Sequence, residues 1–373
     1  MKILHLIDTF DARFDRDQTK LVELLEKRGH HNTVITSRYS SDWRFMKKTE
    51  FDGWEKRFSE TKIIHAPSLE IPTLFSKLPL HVYLPSRQIL SDFDIIQTYT
   101  CGTYSSFLGV ASKVIEKSRV VMRSDLSSAT YHKAKNALFY RTIITYPFKT
   151  ADMIYAYSNL EKRYLTGLGV QEDKIWVIPV GIDLSQFSKN SREQKGESVT
   201  IGYLGRFSFV KGIHRVIPTL CKILGKEKGV RVIFTGILED VDYGNKAIAP
   251  LKKFSNFEYR GDLSTSPLLF YDMCEITLVP SLSETGAITV LEAMASGKAV
   301  IASNINPINE YIEHEHTGFL FNNQEEVYLY LKKLLESPNL IREIGRRARK
   351  EAAKYDWSRI IHRYEEMYRS VIK

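Results

Sequence analysis

The chain has 373 residues, more than one hydrophobic core usually holds, so two domains are the expectation. Its 43% hydrophobic and 26% charged residues are those of an ordinary globular protein and exclude a disordered or fibrous chain. The net charge of +9 suggests an anionic partner, but the absence of an RNA-binding aromatic signature or basic arm argues against nucleic acid and leaves a membrane surface or anionic substrates.

Three cysteines, Cys101, Cys221 and Cys274, lie far apart with no CxxC or Cys/His spacing. That argues against a disulfide framework or structural zinc and suits a reducing compartment. The apolar run at the amino terminus is too short for a signal peptide, and no later stretch approaches a membrane span. A cytoplasmic location is expected, with peripheral contact at the inner face of the cell membrane as the alternative.

In chain order, short apolar or β-branched runs at 3–7, 32–36, 61–66, 95–99, 119–122, 153–157 and 175–178 are predicted strands. Helical patterns separate several of them, as at 19–28, where Leu21, Leu24 and Leu25 share one face and Gly29 follows as a stop. Segment 137–148 is aromatic and follows His132, Lys133 and Lys135. It is expected to be a core helix, with a membrane-surface or lipid-acceptor role as the alternative. The pattern pauses over the polar stretch 183–198, the best linker, and restarts with strands at 199–204, 231–235, 257–260, 276–279, 300–302 and 319–321. Helices are predicted at 213–224, at 288–295 and in a charged tail from Gln324, whose basic part, 342–354, reads as a solvated face. Alternating strands and helices mean parallel sheets covered on both faces. The expected organisation is two α/β domains, 1–187 and 188–373, with a cleft between them as the default ligand site.

Two stretches carry chemistry. In the first, strand 199–204 runs into Gly205-Arg206 and then Lys211-Gly212, where a helix starts. Helix amino termini and adjoining turns offer unpaired N–H groups, and Arg206 and Lys211 add full charges, which together make a diphosphate clamp. Alone, the same pattern is equally a tight turn with two solvated cations. In the second, strand 276–279 ends at Pro280, a polar loop carries Glu284, and Glu292 falls two turns into the helix that starts near Gly286. A carboxylate among Val290, Leu291, Ala293 and Met294 is costly to bury without a partner, and a ribose diol would supply one. A solvated helix edge would do so too.

Taken together and in order, these pieces resemble the family-4 retaining glycosyltransferases, group 1, with the GT-B fold of two facing Rossmann-like domains. The pieces are Ile178-Pro179-Val180-Gly181-Ile182-Asp183 with Phe187; Gly205-Arg206 and Lys211-Gly212; Pro280-Ser281 with two glutamates separated by seven residues; Gly297-Lys298-Ala299-Val300; Thr317-Gly318-Phe319; and Asp356-Trp357-Ser358. The resemblance implies transfer of a sugar from a nucleoside-diphosphate sugar to a carbohydrate, lipid-linked or small-molecule hydroxyl. It implies that Arg206 and Lys211 grip the diphosphate, Glu292 binds ribose, Glu284 faces the donor sugar, and the N–H groups of Gly286, Ala287 and Ile288 contact sugar or phosphate. It implies no metal, since no DxD-like motif is needed, no cofactor beyond the donor, and a final helix, about 357–373, that packs back on the first domain.

Two departures bear on the acceptor side. The family's glycine pair after the first strand is absent from 8–18, where Arg13 or Arg16 could supply contacts instead or lie on a surface loop. Where the family often has a histidine, this chain has Arg123-Ser124-Asp125. Asp125 is the catalytic candidate beside Glu284, able to accept a sugar hydroxyl, and Arg123 could meet an anionic acceptor; loop caps are the plainer reading of both. The rival functions are a nucleotide-sugar epimerase or hydrolase and an inactive nucleotide-sugar-binding protein.

Overall fold

The computed structural model describes residues 1–373 other than 13–16, 39–50, 52, 72–79, 84–89, 91, 117, 188–197, 262–266 and 373. Strand β1 (Lys2–Leu6) has parallel neighbours on both sides, and Ile3, Leu4 and Leu6 are fully buried. A strand covered on both faces needs apolar residues in succession, not in alternation, which is why this run reads as continuous. β2 (His31–Thr36) and β3 (Lys62–His65) step outward from β1, and β4 (Ser68–Ile71) and β5 (Leu80–Tyr83) form a separate antiparallel pair that the sequence did not predict. The chain then returns to the other side of β1 for β6 (Ile95–Thr98), β7 (Arg119–Arg123), β8 (Met153–Ala156) and β9 (Ile175–Val177), giving the order β3-β2-β1-β6-β7-β8-β9.

The second sheet repeats the plan. β10 (Val199–Leu204), β11 (Val230–Thr235), β12 (Phe257–Tyr259), β13 (Ile276–Val279), β14 (Ala299–Ser303) and β15 (Phe319–Phe321) lie in the order β12-β11-β10-β13-β14-β15, all parallel. The order reverses between β1 and β6 and again between β10 and β13. At such a reversal the following helices run to opposite faces, so the loops part and leave a crevice at the carboxyl ends of the strands.

Met1–Pro179 with Ile360–Lys373 form one compact unit, and Val180–Arg359 the other. The expected linker, 183–198, lies mostly outside the described residues. Within the second unit, two motifs from its opposite sequence ends are bound together. Ile182 N–H donates to the Tyr355 carbonyl (2.8 Å), Trp357 N–H to the Ile182 carbonyl (3.0 Å) and Leu184 N–H to the Asp356 carboxylate (3.1 Å). A Cβ on Gly181 would stand 2.4 Å from the Trp357 ring, so this position takes no larger residue without displacing the indole.

In the first unit, the last helix is tied down through Glu365, which is 3% exposed. Arg28 donates two bonds to its carboxylate, each 2.8 Å, and His30 Nε2 lies 2.9 Å away. The hydrogen bonds from Arg28, opposed by burial and helped by His30, hold the Glu365 carboxyl down at about 2. A carboxyl depressed below its unfolded value of 4.5 stabilises the fold above that pH and loses the contribution as pH falls toward 2. Glu365→Gln should therefore cost about 1–3 kcal/mol at pH 7, read from the urea midpoint, with the gap from wild type narrowing as pH is lowered below about 4.5. A gap that is constant with pH would show that the ion pair is not its source.

Segment 137–148 corrects the expectation of a core helix. Ala137 ends the helix Ser128–Asn136 in extended conformation, a π-type turn follows at Tyr140–Ile144, and Tyr146–Thr150 is a separate short helix with Pro147 in its first turn. Each break resets the helical phase, so apolar residues spaced for a single stripe do not face one way. Pro147 and Phe148 turn inward, while Leu138, Phe139, Ile143 and Tyr146 remain exposed. Among the described residues no helix is long and apolar enough to cross a membrane.

Candidate active site

The reversal point of the second sheet lies between β10 and β13, and the loops that follow these strands are knitted together. After β10 the chain makes a short 3-10 turn, Phe209–Lys211, and then Gly212 with φ +62°. Leu282 N–H, in the loop after β13, donates to the Val210 carbonyl (2.8 Å). The Arg215 guanidinium reaches the Pro280 carbonyl (3.3 Å), Ser303 Oγ (2.7 Å) and the Asn322 carbonyl (3.0 Å), tying the ends of β13, β14 and β15. A Cβ on Gly212 would stand 2.1 Å from the Pro280 oxygen. Gly212→Ala should thus combine left-handed backbone strain of about 1–2 kcal/mol with a backbone clash. The expected result is a clear drop in melting temperature together with loss of activity, because Lys211 moves with the turn. A variant with wild-type melting and activity would disprove the tight approach.

Within this frame Lys211 and Glu284 form an ion pair: Lys211 Nζ lies 2.7 Å from Glu284 Oε1. Ser281 Oγ donates to the same oxygen at 2.6 Å, which leaves Oε2 without a partner among the described residues. Arg206 stands apart from this pair. Its side chain is 54% exposed and ion-paired with Glu239, beyond the end of β11, while its carbonyl accepts from the Tyr203 hydroxyl (2.9 Å). The structure thus joins Lys211 to Glu284 and does not join Arg206 to either.

The helix Ile288–Ala295 begins at the same crevice. Ala287 occupies its N-cap position with φ 45°, and no side chain caps the first turn, so N–H groups there are left for an anion. The Tyr311 hydroxyl donates to the Gly286 carbonyl (3.2 Å) and steadies the approach. Further along the helix, Glu292 is half-buried and accepts from the Tyr271 hydroxyl at 3.0 Å. Burial pushes the Glu292 carboxyl up to about 7, against the lowering effect of Tyr271. Tyr271 and Arg215 were not singled out from sequence; Tyr271 lies in an apolar run and carries no local signal.

At the carboxyl ends of the first sheet, Arg123 is buried and its charge is already matched. It donates to Asp125 Oδ2 (2.9 and 2.5 Å) and to Asp17 Oδ2 (2.8 Å), and it lies over the rings of Tyr99 and Tyr157. Asp125, at φ 49°, also accepts from Thr100 Oγ1 (2.8 Å). Glu161 supports this loop from beneath, accepting from Leu126 N–H (2.5 Å) and Tyr157 N–H (2.7 Å), and burial, reinforced by the charge of Asp125, pushes its carboxyl up to about 7. Arg13 and Arg16 lie outside the described residues. Asp8, directly after β1 at the reversal point, holds a hydrogen bond from Ser105 Oγ (2.6 Å), and burial raises its carboxyl. Its signal in the sequence was an acid at the end of the first strand.

Two parallel α/β units, with a cation, a carboxylate and an uncapped helix start at the reversal point of the second, define a GT-B protein. Residues 185–351 match the model of the glycosyl transferases group 1, and residues 19–186 that of glycosyltransferase family 4. With the two models spanning 19–351, the chain belongs to this glycosyltransferase family, and glycosyl transfer is its class of activity. An uncharacterized glycosyltransferase of Methanocaldococcus jannaschii is 24% identical over 354 residues, 87% of this chain and 88% of that protein. The sulfoquinovosyl transferase of Arabidopsis thaliana is 27% identical over 345 residues, 83% of this chain and 63% of that protein. Among solved structures, HepE of Anabaena in complex with UDP superimposes with a TM-score of 0.77 at 18% identity, over 99% of this chain and 100% of that one. Several other curated relatives are matched over 60–63% of their own length.

Proposed function

We propose that the chain is a retaining glycosyltransferase that moves a sugar from a nucleoside-diphosphate donor to a carbohydrate or lipid-linked hydroxyl, without a metal or other cofactor. The observation that carries this reading is the convergence of Lys211, Glu284 and the uncapped helix start at one crevice. Lys211 and the first-turn N–H groups would face the diphosphate, with exposed Arg206 as a second cation once it leaves Glu239. Glu292 would accept the two ribose hydroxyls, and the open Oε2 of Glu284 a hydroxyl of the donor sugar.

In the transfer, the acceptor oxygen bonds to the anomeric carbon as the bond from that carbon to the diphosphate oxygen breaks. The electron pair stays on the diphosphate, and that oxygen takes the acceptor's proton. Attack from the face the leaving group vacates keeps the anomeric configuration and needs no strong protein base. Charge grows on the leaving oxygen in the transition state, where preorganised cations and N–H groups are most effective. The UDP complex of HepE supports a uridine nucleotide as the first donor to try.

A thermal-shift screen against nucleoside diphosphates and their sugars, followed by product analysis with and without acceptor, tests the reading. Stabilisation by one nucleotide series, acceptor-dependent product of unchanged anomeric configuration, and full activity in EDTA are expected. A chain that neither binds nor consumes any donor would sink the proposal, and donor consumption indifferent to acceptor would replace it with a hydrolase or epimerase.

A further inference from the structure

Between β7 and β8 lies a surface for which transfer chemistry has no use. Leu138, Phe139, Ile143 and Tyr146 are 66%, 42%, 49% and 51% exposed. Four exposed cations, Lys133, Lys135, Arg141 and Lys149, accompany them, and none is ion-paired among the described residues. From Leu126 to Ala151 there is no aspartate or glutamate. The exposure belongs to a held conformation. Cys101 Sγ donates to the Ile144 carbonyl (3.0 Å), the hydroxyls of Thr142 and Thr145 close their own turns (each 2.7 Å), and Phe148 is buried beneath. A Cβ on Gly102 would lie 2.7 Å from Ile144, so this segment is seated against the loop that follows β6.

A cluster of large apolar side chains facing water marks an interaction site. Here the apolar groups are interleaved with unneutralised positive charge and include two aromatic rings. That composition fits the boundary between lipid headgroups and acyl chains, where rings and aliphatic side chains enter and cations meet phosphates. A second copy would bring four uncompensated cations against four more, which opposes self-association.

We propose that residues 132–149 form a docking surface for an anionic lipid bilayer, beside the carboxyl-end rim of the first sheet that carries Thr100, Arg123 and Asp125. The proposal is independent of the donor chemistry above.

The test is co-sedimentation of the full chain with vesicles of phosphatidylcholine alone and of phosphatidylcholine with phosphatidylglycerol. Binding to the anionic vesicles, weakened by added salt, is expected. Each cation removed should lower the partition coefficient about fivefold, so K133Q/K135Q/R141Q together should lose about 100-fold. L138S/F139S/I143S should also release the protein, with nucleoside-diphosphate binding kept in both variants. No binding to either vesicle, or equal binding to both, overturns the proposal. The three cations are exposed and their replacement leaves the core intact, so unchanged binding by that variant overturns it whatever the apolar variant does. A dimer in sedimentation velocity that L138S/F139S/I143S abolishes, without vesicle binding, would assign the surface to self-association.

Discussion

Replacing Lys211 with alanine is expected to lower kcat by about 10²–10³-fold, or ~2.7–4 kcal/mol in the barrier, the usual effect of removing one preorganised contact to developing charge. Lys211 is the cation that the fold brings to the reversal point between β10 and β13, and its partner there is Glu284. Removing it also leaves the Glu284 carboxylate, among the described residues, with only the Ser281 hydroxyl. Glu284→Gln should be harmful for a related reason, since Lys211 then loses its anion. Because the two side chains touch, the double variant should be less harmful than the sum of the single losses, with a coupling of about 0.5–3 kcal/mol. Steady-state kinetics of the four proteins decides it. Wild-type kcat in Lys211→Ala, or strict additivity in the double variant, would remove the pair from the site.

Glu292→Gln should move stability and binding in opposite directions. A carboxyl raised to about 7 binds its proton more tightly in the folded chain than in the unfolded one, so the free chain loses stability as pH rises from about 4.5 to about 7. Glutamine removes that penalty. At pH 8 the variant should be more stable by up to about 3 kcal/mol, at 1.36 kcal/mol per unit of pKa, and should melt several degrees higher. The same change removes the charged acceptor proposed for the ribose hydroxyls and should weaken nucleoside-diphosphate binding by about 10–100-fold, from ~1.5–3 kcal/mol for hydrogen bonds to a charged group. Wild-type affinity should fall as pH drops below 7 and Glu292 protonates, whereas the variant should lack that dependence. Melting curves and calorimetric titrations at pH 6 and pH 8 test all three statements, and a variant that is both less stable and full in affinity would refute the role of Glu292.

Such an opposition is what a buried ligand-binding carboxylate should show. Among the described residues, Tyr271 alone offers Glu292 a side-chain hydrogen bond. On the proposed reading a ligand offsets the remaining cost of burial, so that affinity is stored as a local instability of the free protein.

Much of this was legible along the chain. The strands of both sheets and the helix carrying Glu292 announce themselves through local periodicity and turn residues, which depend on a few neighbouring side chains. The ordered motifs identified the family, but the helix expected to start near Gly212 begins only at Ile217, because Gly212 is left-handed and sits between two 3-10 turns, Phe209–Lys211 and Ile213–Arg215. The pair β4 and β5 escaped notice, since two short strands that leave the parallel pattern have no period long enough to stand out. Segment 137–148 was misjudged because apolar composition does not reveal that a break at Ala137 and a π-type turn rotate Leu138, Phe139 and Ile143 outward.

What the sequence by itself determined is which chemical groups stand at the ends of which strands: Lys211 after β10, Glu284 after β13, Asp125 after β7 and Asp8 after β1. Which of them meet was decided only by the tertiary structure. Lys211 finds Glu284 across 73 residues because the chain steps out to β12 before returning beside β10, and Arg123 is neutralised by Asp17 across 106. In a parallel sheet neighbouring strands are joined by long crossovers, so the partner of a charged side chain is set by strand order rather than by sequence spacing.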